Sequence, residues 1–266
     1  MLYGGKKGEK RMEKIIEVKK LRKVFGEKNE NVVRVLNDID FSMKYGEFVA
    51  IMGQSGSGKS TFLYQVSGMD SVSSGEVLFA GKNISNLKEE DMSKLRLTKM
   101  GFVFQNSYLL GNMDIYDNII LPGLKANKGS KEAVKKRGEE LMIGLGIDHI
   151  ADHDINKVSG GQLQRAAICR ALINNPDILF ADEPTGALNS STTDAVMDIF
   201  RNIHEGNTAI LLVTHDAKVA ARAEHVVFIE DGKIKSEFNL GVFNGSEKEL
   251  IEREKKMKEF LEEQGF

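Results

Sequence analysis

Cysteine, proline, tryptophan and net charge are all scarce in this chain, and each shortage narrows what it can be. A single cysteine, Cys169, excludes an internal disulfide framework and any all-cysteine metal site, and suits a reducing compartment. Three prolines (Pro122, Pro176, Pro184) and no tryptophan are unusual for secreted domains. Lys+Arg 37 against Asp+Glu 39 leaves a net charge of -2, so no general excess of positive charge draws the surface to nucleic acid or an anionic membrane. No nucleic-acid partner is expected. The longest apolar runs, such as Ala209 to Val213, fall far short of the roughly 20 residues a membrane helix needs, and the start lacks a signal-peptide apolar region. Any work at a membrane is therefore expected to need something else as anchor. In their place the chain has 266 residues at 41% hydrophobic content, enough for one large domain or two small ones with a full core, and 26 glycines.

Residues 1–23 carry nine Lys/Arg against three Glu, so residues 1–13 read as a disordered basic arm or an upstream mis-assigned start. From Ile39 to Met43 apolar and polar residues alternate strictly, the period of a half-buried antiparallel strand. Phe48 to Met52, Ile178 to Ala181 and Ile210 to Val213 are continuous apolar runs, as expected of parallel strands covered on both faces. The fold class is therefore α/β. Val134, Leu141, Met142 and Leu145 recur at helical spacing between these runs, with Gly144 and Gly146 near the end. His225 to Ile229, Asp231-Gly232 and Lys233 to Phe238 read as a late hairpin, because Asp-Gly supplies the positive φ angles of a tight turn. After Gly245, Leu250, Met257 and Leu261 form one stripe on a charged run opened by a Ser246/Glu249 capping-box pattern. An amphipathic helix within 242–266 follows, with docking on the protein's own surface as the first reading and binding of a partner as the second.

Gly53, Gln54, Ser55, Gly56, Ser57, Gly58, Lys59, Ser60 and Thr61 stand between the buried run Phe48–Met52 and a helical pattern, the context of a phosphate-binding loop. Glycines let successive backbone N–H groups turn inward around a polyphosphate, and the following helix adds its positive dipole end. Lys59 would reach the β- and γ-phosphates, and Ser60 would offer its hydroxyl to Mg²⁺, a hard cation. Asp177 to Glu183 is an apolar strand ending in two carboxylates that point differently: Asp182 suits Mg²⁺ through water, and Glu183 suits the attacking water. The third element is Val158-Ser159-Gly160-Gly161-Gln162.

That third element resembles the signature of ATP-binding-cassette (ABC) ATPases, and the match extends over about Ile15 to Leu240 with the family's motifs in order. The resemblance implies a P-loop NTPase of ABC type. Its parts would be a mostly parallel core sheet with helices, an N-terminal antiparallel β subdomain and an inserted α-helical subdomain at about 88–172 within a cassette over 14–241. It further implies ATP and Mg²⁺ as ligands, and a homodimer in which Ser159, Gly160, Gly161 and Gln162 of one subunit contact the γ-phosphate held by its partner. By the same resemblance Gln105 is the glutamine that senses Mg²⁺ and γ-phosphate, His215 the switch histidine, and Phe25 the adenine-stacking aromatic, usually tyrosine. Ala187, Leu188 and Asn189 match the dimer-contact loop, where Asn189 replaces the usual aspartate and removes a charge from the interface; Val158 stands for the usual leucine. Gly101 to Gln105, Asn118 to Pro122 and Phe180 to Leu188 look like the lipoprotein-release, macrolide-export and bacitracin-type exporter group, and the segment Glu259–Phe266 is similar to tails of peptide-antibiotic resistance transporters. The implied function is an ATP-hydrolysing subunit that powers a membrane permease, held peripherally on the inner face of the membrane. The alternative is a mechanotransmission ATPase of the cell-division type, with a soluble cassette acting on ribosomes or DNA behind it. His149 and His153, at i and i+4 beside three aspartates, have a spacing that could hold a metal on a helix but read as a polar stretch. His204 and His225 show no partner pattern, and Cys169 reads as packing.

Overall fold

A computed structural model describes residues 13–26, 32–127 and 129–265. The expected basic arm lies outside them except for Glu13. The chain divides into two compact units, one built on Glu89–Thr208 and the other on the described residues up to Lys88 together with those from Ala209 onward. In chain order, the latter opens with β1 (Lys14–Phe25), β2 (Val33–Lys44), β3 (Phe48–Met52), α1 (Lys59–Val66), β4 (Ser74–Phe79) and β5 (Lys82–Asn83). The 89–208 unit follows with α2 (Glu89–Lys99), β6 (Met100–Phe104), α3 (Ile115–Ala126), α4 (Lys131–Gly144), α5 (Gly160–Leu172), β7 (Ile178–Asp182) and α6 (Ser190–Glu205). The first unit resumes with β8 (Ala209–Val213), α7 (Ala217–Ala220), β9 (His225–Glu230), β10 (Lys233–Asn239) and α8 (Glu247–Glu263).

In the unit that contains the phosphate-loop sequence, β2, β1, β4 and β5 form a four-stranded antiparallel sheet. Strand β2 obeys the alternation read from its sequence: Ile39, Phe41 and Met43 are buried while Asp40, Ser42 and Lys44 face solvent. A second layer has β3 paired in parallel with β8 on one side and β9 on the other, and β10 antiparallel to β9. All residues of β3 and β8 are buried, which is why these strands are unbroken apolar runs rather than alternating ones. Asp231 and Gly232 join β9 to β10 with φ of 47° and 72°, the two positive values a primed hairpin turn demands.

Helix α8 docks on its own unit. Met257, Phe260 and Leu261 are buried, and Phe260 stacks on Phe238 at 5.0 Å and meets Phe228 edge-on at 6.5 Å. The sequence gives no hint of the strongest tie, Arg253, which is 3% exposed. Its guanidinium donates to the carbonyls of Ala221 (2.7 Å), Ala223, Leu240 and Gly241 and to the Glu249 carboxylate (3.2 Å). The capping box at this helix is half formed. Ser246 Oγ accepts from the Glu249 N–H, but Glu249 reaches the Asn244 N–H instead of Ser246, whose own N–H goes to Asn244 Oδ1.

In the 89–208 unit, β6 and β7 pair in parallel and helices α3, α4 and α5 pack on one another. Leu141, Met142 and Leu145 are buried as their spacing requires, and Gly146 (φ 67°) ends the helix with its N–H on Ile143 O. Cys169 is fully buried on α5, and burial pushes its thiol pKa up, which keeps it an inert packing group. Asp148–Ile150 is a 3₁₀ turn, so His149 and His153 do not share a helix face, and no metal-holding His/Cys/Asp/Glu cluster exists among the described residues.

His225, read from sequence as partnerless, lies between two carboxylates. Glu47 Oε1 is 3.7 Å from its Nδ1 and Glu237 Oε2 is 3.0 Å from its Nε2. Glu47 first, and Glu237 with it, raise its pKa above the ordinary 6.5 against the opposing effect of burial. A folded-state pKa raised above the unfolded one stabilises the fold fully below about pH 6.5, and that contribution disappears as pH climbs through the raised value. Replacing His225→Gln should therefore cost more stability at pH 6 than at pH 9 in urea unfolding. An equal cost at both pH values would refute the pairing.

Candidate active site

The phosphate-loop sequence begins where β3 ends. Ile51 pairs with Val213 of the parallel strand β8, so Gly53 and His215 each emerge two residues beyond a matched pair, at the carboxyl ends of neighbouring strands. The loop is shaped by backbone crowding. Gly53 has φ 149°, and a Cβ there would sit 2.0 Å from the Ile229 carbonyl oxygen and 2.7 Å from Ser57 Oγ. Gly56 and Gly58 also hold positive φ, at 80° and 102°. The Lys59 ammonium donates to the carbonyls of Gly53 (2.9 Å) and Gln54 (2.8 Å), which fixes it over the loop at the first turn of α1.

Two features of this loop suit a polyphosphate. Ser57 Oγ is buried and has no hydrogen-bond partner, an arrangement that costs free energy unless a ligand supplies one. Helix α1 starts at Gly58 without a side-chain cap, whereas α3, α4, α5, α6 and α8 are capped by Asp114, Ser130, Ser159, Asn189 and Ser246. A helix start without a side-chain cap, with its positive dipole end at the loop, suits an anion. Phe25 closes β1 in the same unit and is 46% exposed, as an aromatic residue that takes a stacking partner must be.

The 89–208 unit groups the remaining residues. Phe104 pairs with Asp182 across β6 and β7, so Gln105 and Glu183 are the next residues at the ends of two adjacent parallel strands. Glu183 has φ 48°, an uncommon left-handed conformation for a non-glycine residue, and its carbonyl accepts from the Gly186 N–H at 3.0 Å. A Cβ on Gly186 would lie 3.0 Å from Gln105 Nε2; the bare Cα lets the glutamine lie across this turn. Gln105 and Asp182 of this unit offer an amide oxygen and a carboxylate, and Ser60 of the other unit a hydroxyl; each by itself is a hard oxygen donor of the kind Mg²⁺ selects.

Ser159 caps α5 in a reciprocal box, with Ser159 N–H donating to Gln162 Oε1 at 2.8 Å and Gln162 N–H to Ser159 Oγ at 3.3 Å. Gln162, read from sequence only as part of the signature, thus has a structural job. Ser159, Gly160, Gly161 and Gln162 line one cavity of about 360 Å³ together with Ala187, Leu188, Asn189 and Arg165. The aspartate-to-asparagine departure keeps the helix cap: Asn189 Oδ1 accepts from the Thr192 N–H at 3.0 Å and Ser191 Oγ at 3.1 Å. Sequence reasoning missed Arg165, which donates to Leu145 O, and Arg170, which donates to the carbonyls of Ser107 and Tyr108 at 2.6 and 2.7 Å. A basic residue on an otherwise apolar helix face was the signal available for both.

The family described as "ABC transporter" matches residues 36–186. Over 220 residues the chain is 43% identical to the macrolide export ATP-binding/permease protein MacB of Mannheimia succiniciproducens, covering 83% of this chain and 34% of that protein. It is 46% identical over 203 residues to the lipoprotein-releasing system ATP-binding protein LolD of Aquifex aeolicus, covering 76% and 90%. The chain therefore spans about a third of the length of the MacB relatives and nearly all of LolD. Among solved structures, the dimeric post-hydrolysis state of the ATP-binding cassette MJ0796 bound to ADP and Pi superimposes with TM-score 0.79 at 36% identity, covering 86% of this chain and all of that one.

The crowding at Gly53 gives a direct check. Gly53→Ala should weaken binding of a fluorescent nucleoside triphosphate by at least about tenfold, because backbone strain of roughly 1–3 kcal/mol falls on the binding loop. Unchanged affinity would show that the loop does not need the bare Cα.

Proposed function

We propose, from the premise that this chain belongs to the ABC transporter family, that it is the ATP-hydrolysing subunit powering a membrane export system. The observation that carries the reading is the phosphate loop, with its partnerless buried Ser57 hydroxyl and uncapped α1. The cassette occupies 14–241, with the helical insertion at about 88–172 and an added terminal segment at 242–266.

In this reading Gly53, Gln54, Ser55, Gly56, Ser57, Gly58 and Thr61 wrap the polyphosphate, and Phe25 stacks on adenine. The Lys59 ammonium exchanges two neutral carbonyl acceptors for charged phosphate oxygens, a stronger class of hydrogen bond. Ser60, Gln105 and Asp182 hold Mg²⁺, which when bound neutralises charge on the phosphates. Glu183 takes the proton of the attacking water, and its left-handed backbone supports that role because strain of this kind gathers where side-chain direction matters. His215 donates to the γ-phosphate. A second copy supplies Ser159, Gly160, Gly161 and Gln162 to the same phosphate and meets the first copy through Ala187, Leu188 and Asn189, giving a homodimer around two ATP molecules. Closing and opening are passed to a polytopic permease, which holds the subunit at the inner face of the membrane. The substrates handled are antimicrobial peptides or lipid-linked, hydrophobic molecules: the names of the similar proteins, macrolide export and lipoprotein release, support the hydrophobic and lipid-linked class, and the sequence resemblance of Glu259–Phe266 the peptides.

Replacing Glu183→Gln should lower ATP turnover by roughly 10² to 10⁴, about 3 to 5 kcal/mol of barrier, while ATP still binds. Near-normal turnover would remove Glu183 from the role of base. Lys59→Ala should instead weaken ATP binding itself in a titration, and undiminished binding would count against the loop as the phosphate site.

A further inference from the structure

We infer that Lys23 is a positioning residue for nucleotide binding, the support that holds the Phe25 ring as a platform for the adenine base. Lysine is almost never fully buried unless paired, yet Lys23 is 7% exposed on a strand of the outer antiparallel sheet. Its ammonium lies 2.8 Å from the Asp70 carboxylate, donates to the Ser71 carbonyl at 2.7 Å, and sits 4.9 Å from the centroid of the Phe25 ring. Lys23 and Phe25 are two residues apart on β1, the spacing that puts side chains on one face of a strand. The cation is attracted by the π-face it covers, which pins the ring while the residue stays 46% exposed.

Asp70 is itself fixed. Its Oδ2 accepts from Gln65 Nε2 at 2.9 Å and its Oδ1 from the Ser71 N–H at 2.7 Å. Gln65 is 1% exposed on α1, the helix that opens at the phosphate loop. A chain of contacts thus runs from the phosphate-loop helix through Gln65, Asp70 and Lys23 to the ring, and it sets the distance between the base platform and the polyphosphate cradle. The inference rests on Phe25 being the adenine-stacking residue and adds what holds it in place.

The test compares binding of ATP and of inorganic tripolyphosphate, both with Mg²⁺, to wild type, Lys23→Met, Lys23→Arg, Phe25→Leu and the Lys23→Met/Phe25→Leu double variant. Lys23→Met should weaken ATP binding about 3- to 10-fold, leave tripolyphosphate binding unchanged and cause no further loss in the Phe25→Leu background, with Lys23→Arg retaining most of the affinity. Undiminished ATP binding in Lys23→Met, an equal loss for tripolyphosphate, or an equal loss in the Phe25→Leu background would overturn the role of Lys23. Undiminished ATP binding in Phe25→Leu alone would instead overturn the reading of Phe25. Should Lys23→Met fail to fold, Asp70→Asn, which removes only the charge that seats the lysine, is read in the same way.

Discussion

The approach of bare backbone to a polyphosphate is the constraint from which the rest of this molecule follows. A cradle of N–H groups forms only if the chain can turn with no Cβ in the way, and at Gly53 the Ile229 carbonyl already fills that space. The loop must then hang from something rigid. Fully buried β3, flanked in parallel by β8 and β9, supplies that rigidity, and the helix behind the loop starts without a side-chain cap, the kind of helix start that suits an anion. The same logic is inverted at the second glycine pair. Gly160 and Gly161 open α5 behind the reciprocal Ser159–Gln162 box, which satisfies the Ser159 and Gln162 N–H groups and so preforms this helix start from within the chain.

The architecture was largely legible because it is written in short-range periodicity. Strict alternation in β2, unbroken apolar runs in β3, β7 and β8, and the Asp231-Gly232 turn each report a local environment that the backbone period translates directly into burial. The candidate site residues stand out in the sequence for a different reason: polyphosphate chemistry allows few residue types at few spacings, so loop, acidic pair and signature each form a recognisable pattern. Phe104 opposite Asp182 explains why Gln105 and the acidic pair, far apart in sequence, meet at one strand edge.

What the sequence hid were long-range polar ties. Arg253 reads as one more charge on a charged helix, and only folding brings four carbonyls to it from two distant segments. His225 has Glu224 beside it and Glu230 five residues on, yet its carboxylate partners are Glu47 and Glu237. Lys23 was counted in a basic stretch, whereas its charge is consumed by Asp70 and by the Phe25 ring. Burial of a charged group depends on which segments converge, and no window along the chain carries that information.

The central claim is that ATP brings two copies of this chain together, each completing the other's site with its signature. The most direct measurement is sedimentation of the Glu183→Gln protein, in which hydrolysis should be blocked, with and without Mg-ATP. A monomer that doubles in mass when ATP is added is the expected result. A protein that binds ATP to saturation and still sediments as a monomer would contradict it.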